Sequence, residues 1–103
     1  MRADYSSAVE GDRRVSRRFA IAGRLDVAEY LAFVEERARW FGIDGWAAAD
    51  DARRVTLVAA GPDAMVGALE MACTLGPLSA LIDEIEAADE PAPIGAGFAL
   101  VQK

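Results

Sequence analysis

The chain predicts an α+β domain of the split βαβ, ferredoxin-like type, with an antiparallel sheet, two helices on one face and a short C-terminal edge strand. Three observations predict it. Strand-like and helix-like segments follow one another in the order β-α-β-β-α-β, with one further short strand at the end. Glycine and proline punctuate that order at Gly42, at Gly61-Pro62 and at Gly76-Pro77. A length of 103 residues suits one domain with a single core, and not two.

Residues 1–12 are polar and aperiodic and read as a flexible N-terminal tail, which leaves 13–103 as the folded unit. Val15–Ala22 reads as the first strand, with Val15, Phe19 and Ile21 on one face and Arg17 interrupting that face near its start. Asp26 offers a helix N-cap, and Glu29 three residues later completes a D-x-x-E capping pattern. Val27, Leu31, Val34, Ala38 and Phe41 then share one face of a helix running to about Phe41, with Gly42 as its left-handed stop. Ile43–Ala49 is a short second strand and DDAR a turn. Val55, Leu57 and Ala59 alternate with Thr56, Val58 and Ala60 in the third strand. Gly61-Pro62-Asp63 opens a second helix, proline being tolerated in its first turn. Met65, Val66, Leu69, Ala72, Cys73 and Leu75 are its expected apolar face, and Gly76-Pro77 stops it. Leu81–Glu86 is the fourth strand, ADEPAPIGAG a linker, and Phe98–Val101 the last strand.

Composition excludes several classes. A net charge of −6 and a pI near 4.5 repel phosphates overall, so no nucleic-acid or anionic-membrane surface is expected. No apolar run approaches 18 residues, and MRADYSSAVEGDRR has no apolar stretch of signal-peptide type, so the expected location is the cytoplasm. The chain has no histidine, which removes the commonest general base and metal ligand. One cysteine allows neither an internal disulfide nor a cysteine-rich zinc site. Cys73 lies inside the apolar run MVGALEMACTL and is expected to be a buried structural thiol. DEIEAADEP lacks the ordered ligand spacing of a calcium loop. No metal and no cofactor are expected.

The stretch GRLDVAEYL, residues 23–31, puts a glycine at a strand-to-helix junction, where proteins often hold phosphate. Beyond it, FGIDGWAAADDARRVTLVAAGP resembles the middle of the acylphosphatases, in which a helix ends in L-G-L-x-G-W-V-x-N and a strand closes in A-x-G. Gly42, Gly45, Trp46, Val55 and Gly61 fall at the matching spacings without a gap. GPLSALIDEIE resembles that family's G-P-x-A-x-V-x-x-V segment, and GFAL its F-x-I end strand, so the likeness spans roughly residues 15 to 102.

The resemblance implies hydrolysis of the carboxyl–phosphate bond of small acyl phosphates without metal. In that family the loop G-x-V-Q-G-V-x-F-R wraps the phosphate with backbone N–H groups, its arginine clamps the anion, and the asparagine after G-W-V-x orients the attacking water. Phosphoryl transfer needs such positive charge, oriented donors and a placed nucleophile. Here Gly23, Arg24 and Leu25 match the start of the loop. Asp26 then stands for the glutamine and Val27 for the glycine. Ala28 follows in place of the valine, Glu29 takes the variable position, and Tyr30 replaces the phenylalanine. Leu31 stands where the clamp arginine would be, and Ala49 where the asparagine would be. At about 6 Å and an effective dielectric near 20, each of Asp26 and Glu29 opposes a bound anion by roughly 3 kcal/mol. GRLDVAEYL therefore reads as a self-capped helix start.

Arg13, Arg14, Arg17, Arg18 and Arg24 crowd the first strand and read mainly as partners for the many carboxylates, with contact to an anion or an acidic partner as the functional alternative. Arg24, with Arg53 and Arg54 at the turn near Ala49, are the candidates for a compensating clamp. Trp46 is expected in the core and Trp40 half-buried. The expected function is an inactive acylphosphatase-like domain with a binding or self-associating role, its partner a second copy or another protein. The alternative is a divergent acylphosphatase acting on a small acyl phosphate.

Overall fold

The computed structural model describes residues 13–102, so the expected tail at 1–12 lies outside the described residues. Its elements are β1 (Arg14–Arg24), α1 (Val27–Trp40), β2 (Asp44–Asp51), β3 (Arg54–Pro62), α2 (Asp63–Leu75), β4 (Leu81–Asp89) and β5 (Phe98–Leu100). The strands form one sheet in the order β4-β1-β3-β2-β5. β1 pairs antiparallel with β3 and β4, and β2 with β3. β5 takes the far edge as expected, but it runs parallel to β2, so the sheet is mixed rather than wholly antiparallel.

Odd-numbered residues of β1 and β3 face the helices. Phe19, Ile21, Val55, Leu57 and Ala59 meet Tyr30, Val34 and Ala38 of α1 and Val66, Leu69 and Cys73 of α2 in one core. The buried row of α1 is rotated by about one residue from the expected face: Tyr30, Val34 and Ala38 are buried, while Val27, Leu31 and Phe41 are half-buried. On α2, Val66, Leu69 and Cys73 turn inward, but Met65 and Leu75 are exposed, because they flank that narrow stripe. Gly42 follows α1 with a φ of 66°, as a left-handed stop requires.

Several boundaries move. β1 continues through Gly23 and Arg24, Asp50 and Asp51 belong to β2, Gly61-Pro62 completes β3, and β4 takes Ala88 and Asp89 from the expected linker. β4 is thus a nine-residue edge strand carrying Asp83, Glu84, Glu86 and Asp89. Trp46 is only half-buried, because its position on β2 turns it to the sheet face opposite the helices, where the Arg18 guanidinium sits 5.6 Å from its ring. Trp40 is 67% exposed on the outside of α1, with the Arg37 guanidinium 4.4 Å from its ring. Among the described residues no helix is long and apolar enough to cross a membrane.

Candidate functional site

Gly23 ends β1 under a tight constraint. β1 and β4 stay paired as far as Arg24 opposite Leu81, past a bulge between Ala22 and Gly23. The Gly23 N–H donates to the Arg53 carbonyl at 3.0 Å. A Cβ added at Gly23 would lie 2.3 Å from the Leu81 carbonyl oxygen and 2.9 Å from the Ile82 Cα. The glycine that marks the junction in the sequence is therefore needed where two strands close on each other. Only Leu25 and Asp26 remain between the strand and the helix.

Asp26 caps α1 as its sequence position predicts. Its backbone is extended, its Oδ1 accepts the Glu29 N–H at 3.0 Å, and its carbonyl accepts the Tyr30 N–H at 2.8 Å. Glu29 makes a different contact from the reciprocal capping bond the D-x-x-E pattern implies: its carboxylate accepts the Ser79 hydroxyl, from the loop before β4. No local sequence signal pairs Glu29 with Ser79. Two carboxylates thus occupy the positive end of the helix, the place an incoming anion would take.

Leu31 and Ala49, the residues expected at the family's two functional positions, are both apolar and both on the helix side of the sheet. Leu31 is partly buried against the core. Ala49 is half-buried opposite Val55, in the cross-sheet row that also holds Ile21. Tyr30 turns wholly inward, and its hydroxyl donates to the Cys73 carbonyl at 2.7 Å. Burial pushes the ionisation of Tyr30 well above the ordinary phenol range, and pushes the Cys73 thiol up to about 12. Neither group is a nucleophile or base near neutral pH.

The arginines divide into two sets. Arg14 pairs with Asp44 at 3.3 Å, Arg17 with Asp63 at 3.5 Å and Arg18 with Glu90 at 2.8 Å, so these three bind the chain's own carboxylates. Hydrogen bonds from the Ala92 N–H and from Arg18 hold the Glu90 carboxyl below its usual range. Of the compensating candidates, Arg53 and Arg54 meet Gly23 in an open cavity of about 510 Å³, together with Ala22, Asp51, Ala52, Asp83 and Glu84. Arg24 is exposed and does not line it. The Arg53 guanidinium lies 3.7 Å from the Asp83 carboxylate. Three carboxylates against two guanidiniums leave that wall net acidic.

Residues 17–100 match the family model described as acylphosphatase. The chain is 29% identical over 92 residues to an acylphosphatase of Rhizorhabdus wittichii, an alignment covering 89% of this chain and 93% of that one. It is 35% identical over 72 residues to an acylphosphatase of Marinobacter nauticus, covering 70% of this chain and 78% of the relative. Its backbone is similar to that of the acylphosphatase from Bacillus subtilis, with a TM-score of 0.77 at 23% identity over 84% of this chain and 98% of the other.

Proposed function

Because the chain belongs to the acylphosphatase family, we propose that it is a member without catalytic activity whose role is binding, self-association included. One observation carries the reading: the N-terminus of α1 already holds the Asp26 carboxylate, bonded to the Glu29 N–H at 3.0 Å. The aligned residues agree with it. Leu31 supplies no charge to a phosphoryl group, and Ala49 supplies no hydrogen bond to a water. Loss of one preorganised donor costs about 10²–10³ in rate. Loss of the clamp, the water-orienter and the open amides costs more, though not as a product of the single effects.

Benzoyl phosphate tests this. The expected result is release of phosphate at the spontaneous rate, with or without the protein. Protein-dependent release overturns the reading. A second reading, a divergent acylphosphatase, has one observation in its favour: Arg53 and Arg54 share a cavity with Gly23. On that reading water attacks phosphorus, the bond to the acyl oxygen breaks, the carboxylate leaves, and Arg53→Ala or Arg54→Ala abolishes turnover. Joint substitution of Leu31→Arg and Ala49→Asn probes the inherited geometry, and gained hydrolysis marks those two positions as the lost machinery.

A further inference from the structure

α2 is apolar on both sides. Its inward row is Val66, Leu69 and Cys73, yet its outward row is apolar too. Met71 is 67% exposed, Leu75 73%, and Leu78, just beyond the helix, fully exposed. Asp63 and Glu70 are the only charged residues of the helix, and Asp63 is paired with Arg17. A helix apolar all round is ordinarily covered on all sides.

The outward face is also graded in size. Ala64 and Gly67 occupy its first half, and Met71, Leu75 and Leu78 its second half and the turn that follows. A Cβ at Gly67 would meet nothing within 4 Å. Gly67, Glu70, Met71, Thr74 and Leu75 border a shallow hollow of about 270 Å³ on this face.

We propose that the outer face of α2 is the interface of a two-fold homodimer, in which two α2 helices cross antiparallel about Met71 and Leu75 of each copy fills the hollow over Gly67 of the other. Sequence position alone sets the register. With Met71 on the two-fold axis, Gly67 opposes Leu75 and Ala68 opposes Thr74, so larger residues meet smaller ones on both sides of the axis. Glu70 opposes Ala72, and no carboxylate is placed directly across from another. A second copy is the occupant this grading fits, because the face complements itself only when reversed, as an isologous contact requires. Charge selects the face: two chains of charge −6 repel each other and the acidic β4 edge would add to that, whereas the α2 face brings one glutamate per copy. The exposed apolar surface of Met65, Met71, Leu75 and Leu78 makes a small interface, at the low end of the specific class. The proposal rests on the binding reading above and names its partner as a second copy.

Sedimentation equilibrium on the full chain, from micromolar to millimolar concentration, tests it. The apparent mass is expected to rise from 11.0 kDa toward double that value. Gly67→Leu has room in the monomer, keeps the helical circular dichroism, and moves dimerisation to a concentration about 100-fold higher by colliding with the opposing Leu75. Leu75→Ala weakens the dimer, and the double variant Gly67→Leu with Leu75→Ala recovers it, because the large and small partners have changed sides. A chain that stays at 11.0 kDa at millimolar concentration overturns the proposal. So does a dimer indifferent to Gly67→Leu, or a monomer that instead sediments with phosphatidylcholine vesicles. The benzoyl phosphate assay keeps the two readings apart: a dimer that hydrolyses it retains the interface and loses the inactivity, and a silent monomer does the reverse.

Discussion

Tyr30 joins the two helices through one hydroxyl. The last four carbonyls of a helix have no partner within it, and the Tyr30 O–H donates to that of Cys73, near the end of α2, at 2.7 Å. Tyr30→Phe keeps the ring and strands a buried acceptor, so the fold is expected to lose about 1.5 kcal/mol in urea denaturation. The neighbouring thiol gives a second measurement. With the Cys73 pKa at about 12 and the group buried, the native chain is expected to stay unlabelled by a thiol reagent at pH 8 and to react only in denaturant. The sign for stability follows. A raised folded-state value means a contribution fully present below the ordinary thiol pKa and lost as pH climbs from there to about 12. The thiol's burial was legible from its place in an apolar helical run. Tyr30 was not, because a tyrosine beside Val27 and Leu31 carries no periodic signal stronger than theirs, and its partner lies on another helix.

Element type is local and legible in the sequence, whereas element ends are set by tertiary pairing. Alternation and helical spacing marked every strand and both helices, since one buried face imposes them. The ends moved where tertiary pairing extended a strand past its local signals: β1 through Gly23 because β4 pairs with it, and β4 to Asp89 because that residue meets Arg17. The same pairing gives Gly23 a purpose unrelated to phosphate. Gly23→Ala is expected to destabilise the domain by about 3 kcal/mol, read from denaturant midpoints, because the added carbon falls 2.3 Å from backbone oxygen on β4. Trp46 departs from the expected core position for a related reason. A large aromatic suggests the core, but an even-numbered place in β2 sends it to the open side, where an arginine rather than a helix covers it. The capping aspartate is local chemistry and was legible at once; the Glu29–Ser79 contact joins distant segments and was not.

At the scale of the whole molecule, strand order and helix placement follow from the β-α-β-β-α-β sequence of elements, which admits few compact arrangements. The parallel docking of β5 does not, because its direction depends on a connection that crosses from one edge of the sheet to the other. Of the candidate site the Asp26 cap was legible in the sequence, while the convergence of Arg53 and Arg54 on Gly23 needed the assembled sheet. The acidic outer strand matters for how copies of this chain behave in bulk. Nine residues of open edge are a template on which another chain can lay a strand, and mutual repulsion between carboxylates is what keeps β4 solitary. At its isoelectric point of about 4.5 the whole chain carries no net charge and copies no longer repel one another at long range, so turbidity is expected to peak there, with the open β4 edge as the seam along which molecules join.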